Sequence, residues 1–326
     1  MRNWFSRYSL SIYAFLTTAL ILGFVQWKVE RPMLMMERFL PGSGWLEIIL
    51  VSSYAAWITG KMKDPLLSAK WRRITWTLFN IVFFSQLLTG LLGYEKFLMT
   101  GKLHLPIPVM ILSGPIFRGH MSFMSLLFIS TLIISGPAWC SQLCYFGALD
   151  NIAAGNRAKL KPLRGKFRIK HLILLGIIVL TLILRFLNAS AAWTTILAGT
   201  FGIAGLAIIV LISRRWGKMV HCLVWCPIGT IVNYLKFISP FRMYIEENCT
   251  NCMACRRYCN YDALNRPDIL KRKPGFTCTY CGDCIVSCKT NSIRYQFLSL
   301  SSERARNTWI VLTISLHAIF LALGRI

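Results

Sequence analysis

Acidic side chains are scarce in this chain: 12 Asp and Glu among 326 residues, against 37 Lys and Arg, for a formal charge of +25. Charged residues of both signs make up only 15%, apolar residues 55%, and mean hydropathy is +0.53. So little charge excludes an ordinary soluble globule of this size and points to a membrane class. The few carboxylates form no substrate-sized catalytic constellation, which argues against an independent enzyme. Nucleic acid is not the partner the basic excess implies. Lys and Arg fall between apolar runs, where they read as topology signals and contacts to anionic lipid. No small-residue cleavage site follows the first apolar run, so that run reads as an anchor rather than a signal peptide.

What is present instead is a series of apolar runs. A hydrocarbon core asks for about 20 apolar residues in a helix. Candidate spans are Tyr8–Trp27, Gly44–Gly60, Ile74–Tyr94, Met121–Trp139, His171–Ser190, Trp193–Ser213 and, near the short limit, Asn307–Gly324. Between them, Leu103–Phe117 is uncharged, but Pro106, Pro108 and Pro115 are expected to break any helix, giving an interfacial or re-entrant stretch. Alternate loops are richer in Lys and Arg. The positive-inside rule then places the N-terminus and every cysteine on the cytoplasmic side. The fold class expected is mainly α: a polytopic membrane helix bundle of about six or seven spans with a cytoplasmic two-cluster ferredoxin-like α+β domain. The expected division is residues 1–240 as transmembrane domain, 241–300 as ferredoxin-like domain and 301–326 as a C-terminal membrane helix. A reducing compartment fits the cysteine usage, since all twelve fall into ligand-like groups.

Eight of those cysteines make two runs, Cys249-x2-Cys252-x2-Cys255-x3-Cys259 and Cys278-x2-Cys281-x2-Cys284-x3-Cys288. This is the two-cluster ferredoxin spacing, in which the fourth cysteine of each run ligates the other cluster. Cys249, Cys252, Cys255 and Cys288 are therefore expected to hold one [4Fe-4S] cluster, and Cys278, Cys281, Cys284 and Cys259 a second. Zinc takes two pairs of ligands, not a triad plus one, and disulfides do not explain so regular a repeat.

The remaining four cysteines form an internal repeat. Cys140-x3-Cys144 follows the fourth span and Cys222-x3-Cys226 the sixth. Aligned on the cysteines, Gly147 matches Gly229 and Asn151 matches Asn233. Pro227 suits a first helical position, which puts Cys226 at an N-cap; the first copy has Tyr145 there. Three readings compete: both pairs converge on one further iron–sulfur or metal centre, each pair is a redox dithiol, or the cysteines are buried and structural.

With both cysteine sets in view, the chain resembles the NapH-type membrane polyferredoxins, the quinol dehydrogenase membrane subunits of periplasmic nitrate reductase. The C-terminal region of NosR and the cupric reductase CcoG are related to them. The resemblance covers roughly Met121–Arg294. Asn260 and Lys289 stand where that family often has proline after each cluster run. It implies a membrane-bound iron–sulfur protein of the bacterial inner membrane, an electron-transfer subunit of an oxidoreductase complex. Such a subunit passes electrons between the quinone pool and a partner redox enzyme. The alternative is a cluster-dependent metal reductase, for copper for example, or a maturation factor for another metalloenzyme. A quinone site wants a proton acceptor near the membrane surface; Glu47, Glu95, His104 and His120 are the candidates. Arg256, Arg257, Arg266, Lys271, Arg272, Lys273, Lys289 and Arg294 surround the cluster runs, either as a docking rim for an acidic partner or as a solvated face. His317 reads as a packed or hydrogen-bonded residue rather than a haem ligand.

Overall fold

Apolar runs become helices because, out of water, a helix satisfies its own backbone polar groups. The computed structural model describes residues 2–97, 107–155 and 161–323. Among them, six helices are long and apolar enough to cross a membrane: Tyr8–Lys28, Pro65–Leu91, Met124–Leu143, Lys166–Phe186, Ala191–Trp216 and Ser302–Leu323. Only 11% of the apolar window of Lys166–Phe186 is buried within the protein, against 61% for Met124–Leu143. Lys166–Phe186 therefore presents an apolar face, with Leu172, Leu175 and Phe186 exposed, that lipid is suited to cover.

The chain forms two compact units, Met1–His104 with Ser299–Ile326, and Leu105–Leu298. This cuts across the division expected from sequence: the last helix joins the first three apolar stretches, and the eight-cysteine segment joins the later spans. In the first unit, Leu22, Leu34, Ile48 and Ile319 share one core cluster, and Ala55, Ile58, Ile310 and Ile314 another. The stretch expected as a second span is a helix, Gly44–Met62, but it is not among the six. Glu47, Ser52, Ser53, Tyr54 and Lys61 dilute its apolar character. Ser302–Leu323 does qualify. His317 within it is buried and sits 3.1 Å from the Tyr54 hydroxyl.

The second unit corrects one expectation. Val109–Arg118 is a ten-residue helix with Pro115 inside it. Proline removes the bond to the carbonyl four residues back, here Ile111. The Ser125 hydroxyl donates to that Ile111 carbonyl at 3.3 Å, so the freed acceptor is satisfied. Pro108 takes the N-cap position, where its missing N–H costs little, and Gly119 ends the helix at φ +78. Further along, two strands, β1 (Phe241–Ile245) and β2 (Ile293–Phe297), pair antiparallel with Phe241 opposite Phe297 and Ile245 opposite Ile293. They bracket the eight-cysteine segment, so its ends are held together. Phe241, Met243, Ile245, Ile293 and Tyr295 are buried at alternating positions.

Candidate iron–sulfur centres

The two ferredoxin-type runs adopt the same backbone. In the first, Asn251 and Met253 have φ of 55° and 60°; in the second, Tyr280 and Gly282 have φ of 56° and 80°. These are equivalent positions, two and four residues after the first cysteine of each run. A non-glycine residue held left-handed costs energy and marks a constrained loop. Alternating right- and left-handed residues turn successive N–H groups inward, a concavity that suits an anion such as a thiolate-ligated cluster. Gly282 has a second reason to be glycine: a Cβ there would sit 2.7 Å from the Tyr295 hydroxyl, which donates to the Tyr280 carbonyl at 2.6 Å. The fourth cysteines match as well. Ala263 N–H donates to the Cys259 sulfur at 3.3 Å and Ser292 N–H to the Cys288 sulfur at 3.2 Å.

The folding brings the thiols together across the runs. Burial pushes the Cys255 thiol up to about 11, and the charges of Cys288, Cys249 and Cys252 add to the rise. Cys259 is raised by burial and then by Cys278, with Cys281 adding a smaller share. Cys259, Cys278, Cys281 and Cys284 line one partly open pocket, walled also by Tyr258 and Tyr261. Cys284 is raised by burial, then by Cys281, Cys259 and Cys278, and lastly by Cys255, so the two groups are neighbours. Thiols held this high stay protonated near neutral pH unless a metal cation takes the proton's place. Cys252 differs in being exposed, and Cys284 of the second group in being buried; the other six are partly buried.

The C-x3-C repeat has its own geometry. Each copy is a π-helical turn, Trp139–Leu143 or His221–Trp225, running into a capped helix, Tyr145–Ala154 or Pro227–Leu235. Cys144 and Cys226 are the two N-caps, with φ and ψ of −91°, 119° and −74°, 116°. Proline at the first helical position is thus dispensable for this shape, since Tyr145 achieves it too. The Cys144 sulfur accepts from Gly147 N–H at 3.4 Å. Gly229 is required for a different reason: a Cβ would meet the Cys222 carbonyl at 2.7 Å. Asp150, in the first copy, accepts from Cys222 N–H of the second at 2.9 Å. Burial pushes the Cys222 thiol up, followed by the charges of Asp150, Cys144, Cys226 and Cys140. The other three thiols of the repeat therefore lie within electrostatic reach of Cys222.

The family described as 4Fe-4S binding domain matches residues 117–170 and 198–242. Those segments hold one C-x3-C copy each and neither reaches the 249–288 runs. An uncharacterized protein of Methanocaldococcus jannaschii is 22% identical over 178 residues, covering 52% of this chain and 69% of its own length. "Putative electron transport protein YccM" of Escherichia coli is 22% identical over 267 residues, 73% of this chain and 70% of its own. "Methylamine utilization ferredoxin-type protein MauN" of Methylobacillus flagellatus is 25% identical over 143 residues, 39% of this chain and 49% of its own. No solved structure matches. The chain is similar to membrane-type polyferredoxins. Together these likenesses support an iron–sulfur electron-transfer protein with membrane-type helices.

The quinone-side candidates separate. Glu47 is buried in the first unit, its carboxylate accepting from Met36 N–H at 2.7 Å. Glu95 belongs to the same unit and is exposed. His120 is exposed in the second unit, and His104 lies outside the described residues. Several site-shaping residues were not singled out by sequence reasoning. Asp262 is buried between Lys166, 2.9 Å away, and Lys218, 2.5 Å away. Burial pushes its carboxyl up, but hydrogen bonds from the two ammonium groups outweigh this and leave it below the ordinary value. Tyr261 donates to the Cys140 carbonyl at 2.6 Å. Lys236 donates to the carbonyls of Phe276 at 2.6 Å and Cys278 at 3.2 Å. The basic rim is also not uniform. Arg272 donates to the Cys249 and Glu247 carbonyls at 3.2 and 3.3 Å and so braces the first loop. Arg257, Lys271, Lys273 and Lys289 are exposed.

Proposed function

We propose that the chain is a membrane-bound electron-transfer protein. In this reading Cys249, Cys252, Cys255 and Cys288 hold one [4Fe-4S] cluster, and Cys278, Cys281, Cys284 and Cys259 a second. The observation that carries it is the convergence of the fourth cysteine of each run on the triad of the other, around left-handed loops that present backbone N–H groups. Bound there, such clusters supply one-electron transfer. The protein's part is to exclude water and to supply hydrogen bonds and positive charge. The N–H groups of Ala263 and Ser292 favour the charged sulfurs, and Lys236 sets a cation beside Cys278. Each favours the reduced, more negative state and raises the potential.

Electrons pass between the quinone pool and a partner redox protein. A quinol gives up two electrons and two protons, and the partner takes the electrons singly. The resemblance to NapH-type subunits supports the quinol side; YccM and MauN bear names of electron transport and ferredoxin type, which support the rest. The exposed Cys252 with Arg257, Lys271, Lys273 and Lys289 suits docking of an acidic redox partner. Basic loops between the apolar helices favour the bacterial inner membrane, with the cysteines on the cytoplasmic side.

The test is electron paramagnetic resonance on the dithionite-reduced protein purified without oxygen. Two interacting [4Fe-4S] signals that shift on adding a quinone analogue are expected. Signals oxidised by Cu(II) yet indifferent to the quinone analogue would replace the quinone role with metal reduction. A colourless protein without labile sulfide would end the reading.

A further inference from the structure

His171 and Tyr234 form a polar pair on an otherwise apolar surface. His171 lies in the second turn of the Lys166–Phe186 helix, half-buried, and Tyr234 near the end of Pro227–Leu235, exposed. The His171 Nδ1 stands 2.5 Å from the Phe167 carbonyl, and its Nε2 2.6 Å from the Tyr234 hydroxyl. A carbonyl only accepts, so Nδ1 carries the proton, and the neutral Nε2 accepts from Tyr234 O–H. The histidine is thus held as a base whose lone pair faces a hydroxyl. With its own proton turned toward Nε2, the tyrosine oxygen keeps lone pairs for a donor arriving from outside.

The pair lies between lipid-facing surface and the ferredoxin segment. On the helix, Phe167, Leu175 and Val179 share the face of His171 at four-residue spacing and are all exposed. A molecule dissolved in lipid reaches the pair along this stripe. On the other side, the Tyr234 ring packs edge-on against Phe276, centroids 5.0 Å apart, and Phe276 precedes Cys278 by two residues. Lys170 and Lys236, both buried, each lie 5.6 Å from the centre of the Phe276 ring, so positive charge attends the place where an electron would enter the loop. The groups expected at a quinone site from sequence stand elsewhere. Glu47 and Glu95 belong to the other unit. His120 precedes the Met124–Leu143 helix at the end away from Cys140, about 25 Å of helix distant.

We propose that His171 and Tyr234 form the proton-accepting site for a lipid-soluble hydroquinone, whose electrons enter at the adjacent Cys278 loop. The inference deepens the quinol reading above and rests on it. A hydroquinone has the parts this surface matches: an apolar tail for the stripe, a ring to lie against aromatic side chains and a hydroxyl to donate to Tyr234. Its oxidation breaks two O–H bonds and releases two electrons and two protons. The electrons leave singly for the one-electron carriers of the ferredoxin segment. With each, one proton passes to the Tyr234 oxygen as the Tyr234 proton moves to His171 Nε2. The imidazolium returns that proton to water, and the second follows by the same path.

The test mixes the full chain, purified without oxygen and with its clusters oxidised, with decylubiquinol or menadiol, and follows cluster reduction by loss of visible absorbance. In His171→Ala the maximal rate should fall about hundredfold, with the half-saturating quinol concentration unchanged because Tyr234 still meets the quinol. Added imidazole should restore part of that rate, which a packing defect would not allow. Tyr234→Phe should raise the half-saturating concentration about fivefold, the loss of one hydrogen bond, and also lower the rate. Iron content and reduction by dithionite should match the parent in both variants. Parent clusters that neither quinol reduces overturn the quinone reading and this site with it. Parent clusters that a quinol reduces, with both variants reduced as fast, overturn this site alone and leave the quinone reading standing. Iron lost from either variant, or a His171→Ala rate that imidazole does not raise, overturns the proton role in favour of a structural one.

Discussion

The two cysteine regions gather the same donor atom by different means. The 249–288 segment does it with loops: left-handed residues at matching places, a two-stranded clamp at the ends and one thiol left in solvent. The C-x3-C repeat does it with helices: a π turn, an N-cap cysteine and a latch from one copy to the other. Loops bear their cost as local backbone strain, so they tolerate few changes at the strained positions but need little of the rest of the chain. Helix ends place a thiol cheaply, but two distant helices must pack before four thiols meet. The first arrangement is compact in sequence; the second is assembled only when the later spans have folded.

That contrast can be broken most severely at Cys284. Cys284→Ala should remove about four irons and stop electron transfer while membrane insertion persists, because the helices do not depend on the loop. Full iron content in that variant would refute the ligand assignment. Asp262 joins the two regions, and Asp262→Asn leaves Lys166 and Lys218 buried without a counter-charge, each keeping one backbone carbonyl acceptor. Breaking such a pair costs about 3–5 kcal/mol, read as an earlier unfolding midpoint in detergent; an unchanged midpoint would show that the pair does not anchor the segment. The carboxyl lies below its usual value in the folded protein. The stabilisation from this residue is therefore complete above its unfolded pKa near 3.8 and is lost as pH falls through the lower folded value. Gly229→Ala tests the helical region alone. Its Cβ would press on the Cys222 carbonyl, with a cost of about 1–3 kcal/mol, and should loosen the C-x3-C site without altering the ferredoxin signals. The smallest effect is expected from Tyr295→Phe, which deletes one hydrogen bond to the Tyr280 carbonyl, worth about 1 kcal/mol. It should broaden the signal of the Cys278 loop and leave iron content unchanged.

Much of the helical architecture was legible because apolar runs of span length have few alternatives. Where legibility failed, a partner distant in sequence was the cause. Pro115 read as a helix breaker until Ser125 supplied a donor for Ile111. The Gly44–Gly60 run read as a span, yet its polar residues leave Gly44–Met62 outside the six spanning candidates. Lys170 reads from sequence as one more basic loop residue, since nothing in its neighbourhood in the chain marks it as facing thiols. Arg272 looked like one more member of a basic rim, although its carbonyl contacts give it a bracing role.

Composition, the spacing of twelve cysteines and the repeat within the later spans follow from the order of residues alone, because each concerns groups within a few turns of one another. Tertiary structure alone decided which unit the last helix joins, that the two C-x3-C pairs face one another, and that the Lys170 ammonium is buried within electrostatic reach of them. Burial and the meeting of distant segments are properties of packing, and no local pattern of side chains encodes which far element will arrive to satisfy or desolvate a charge.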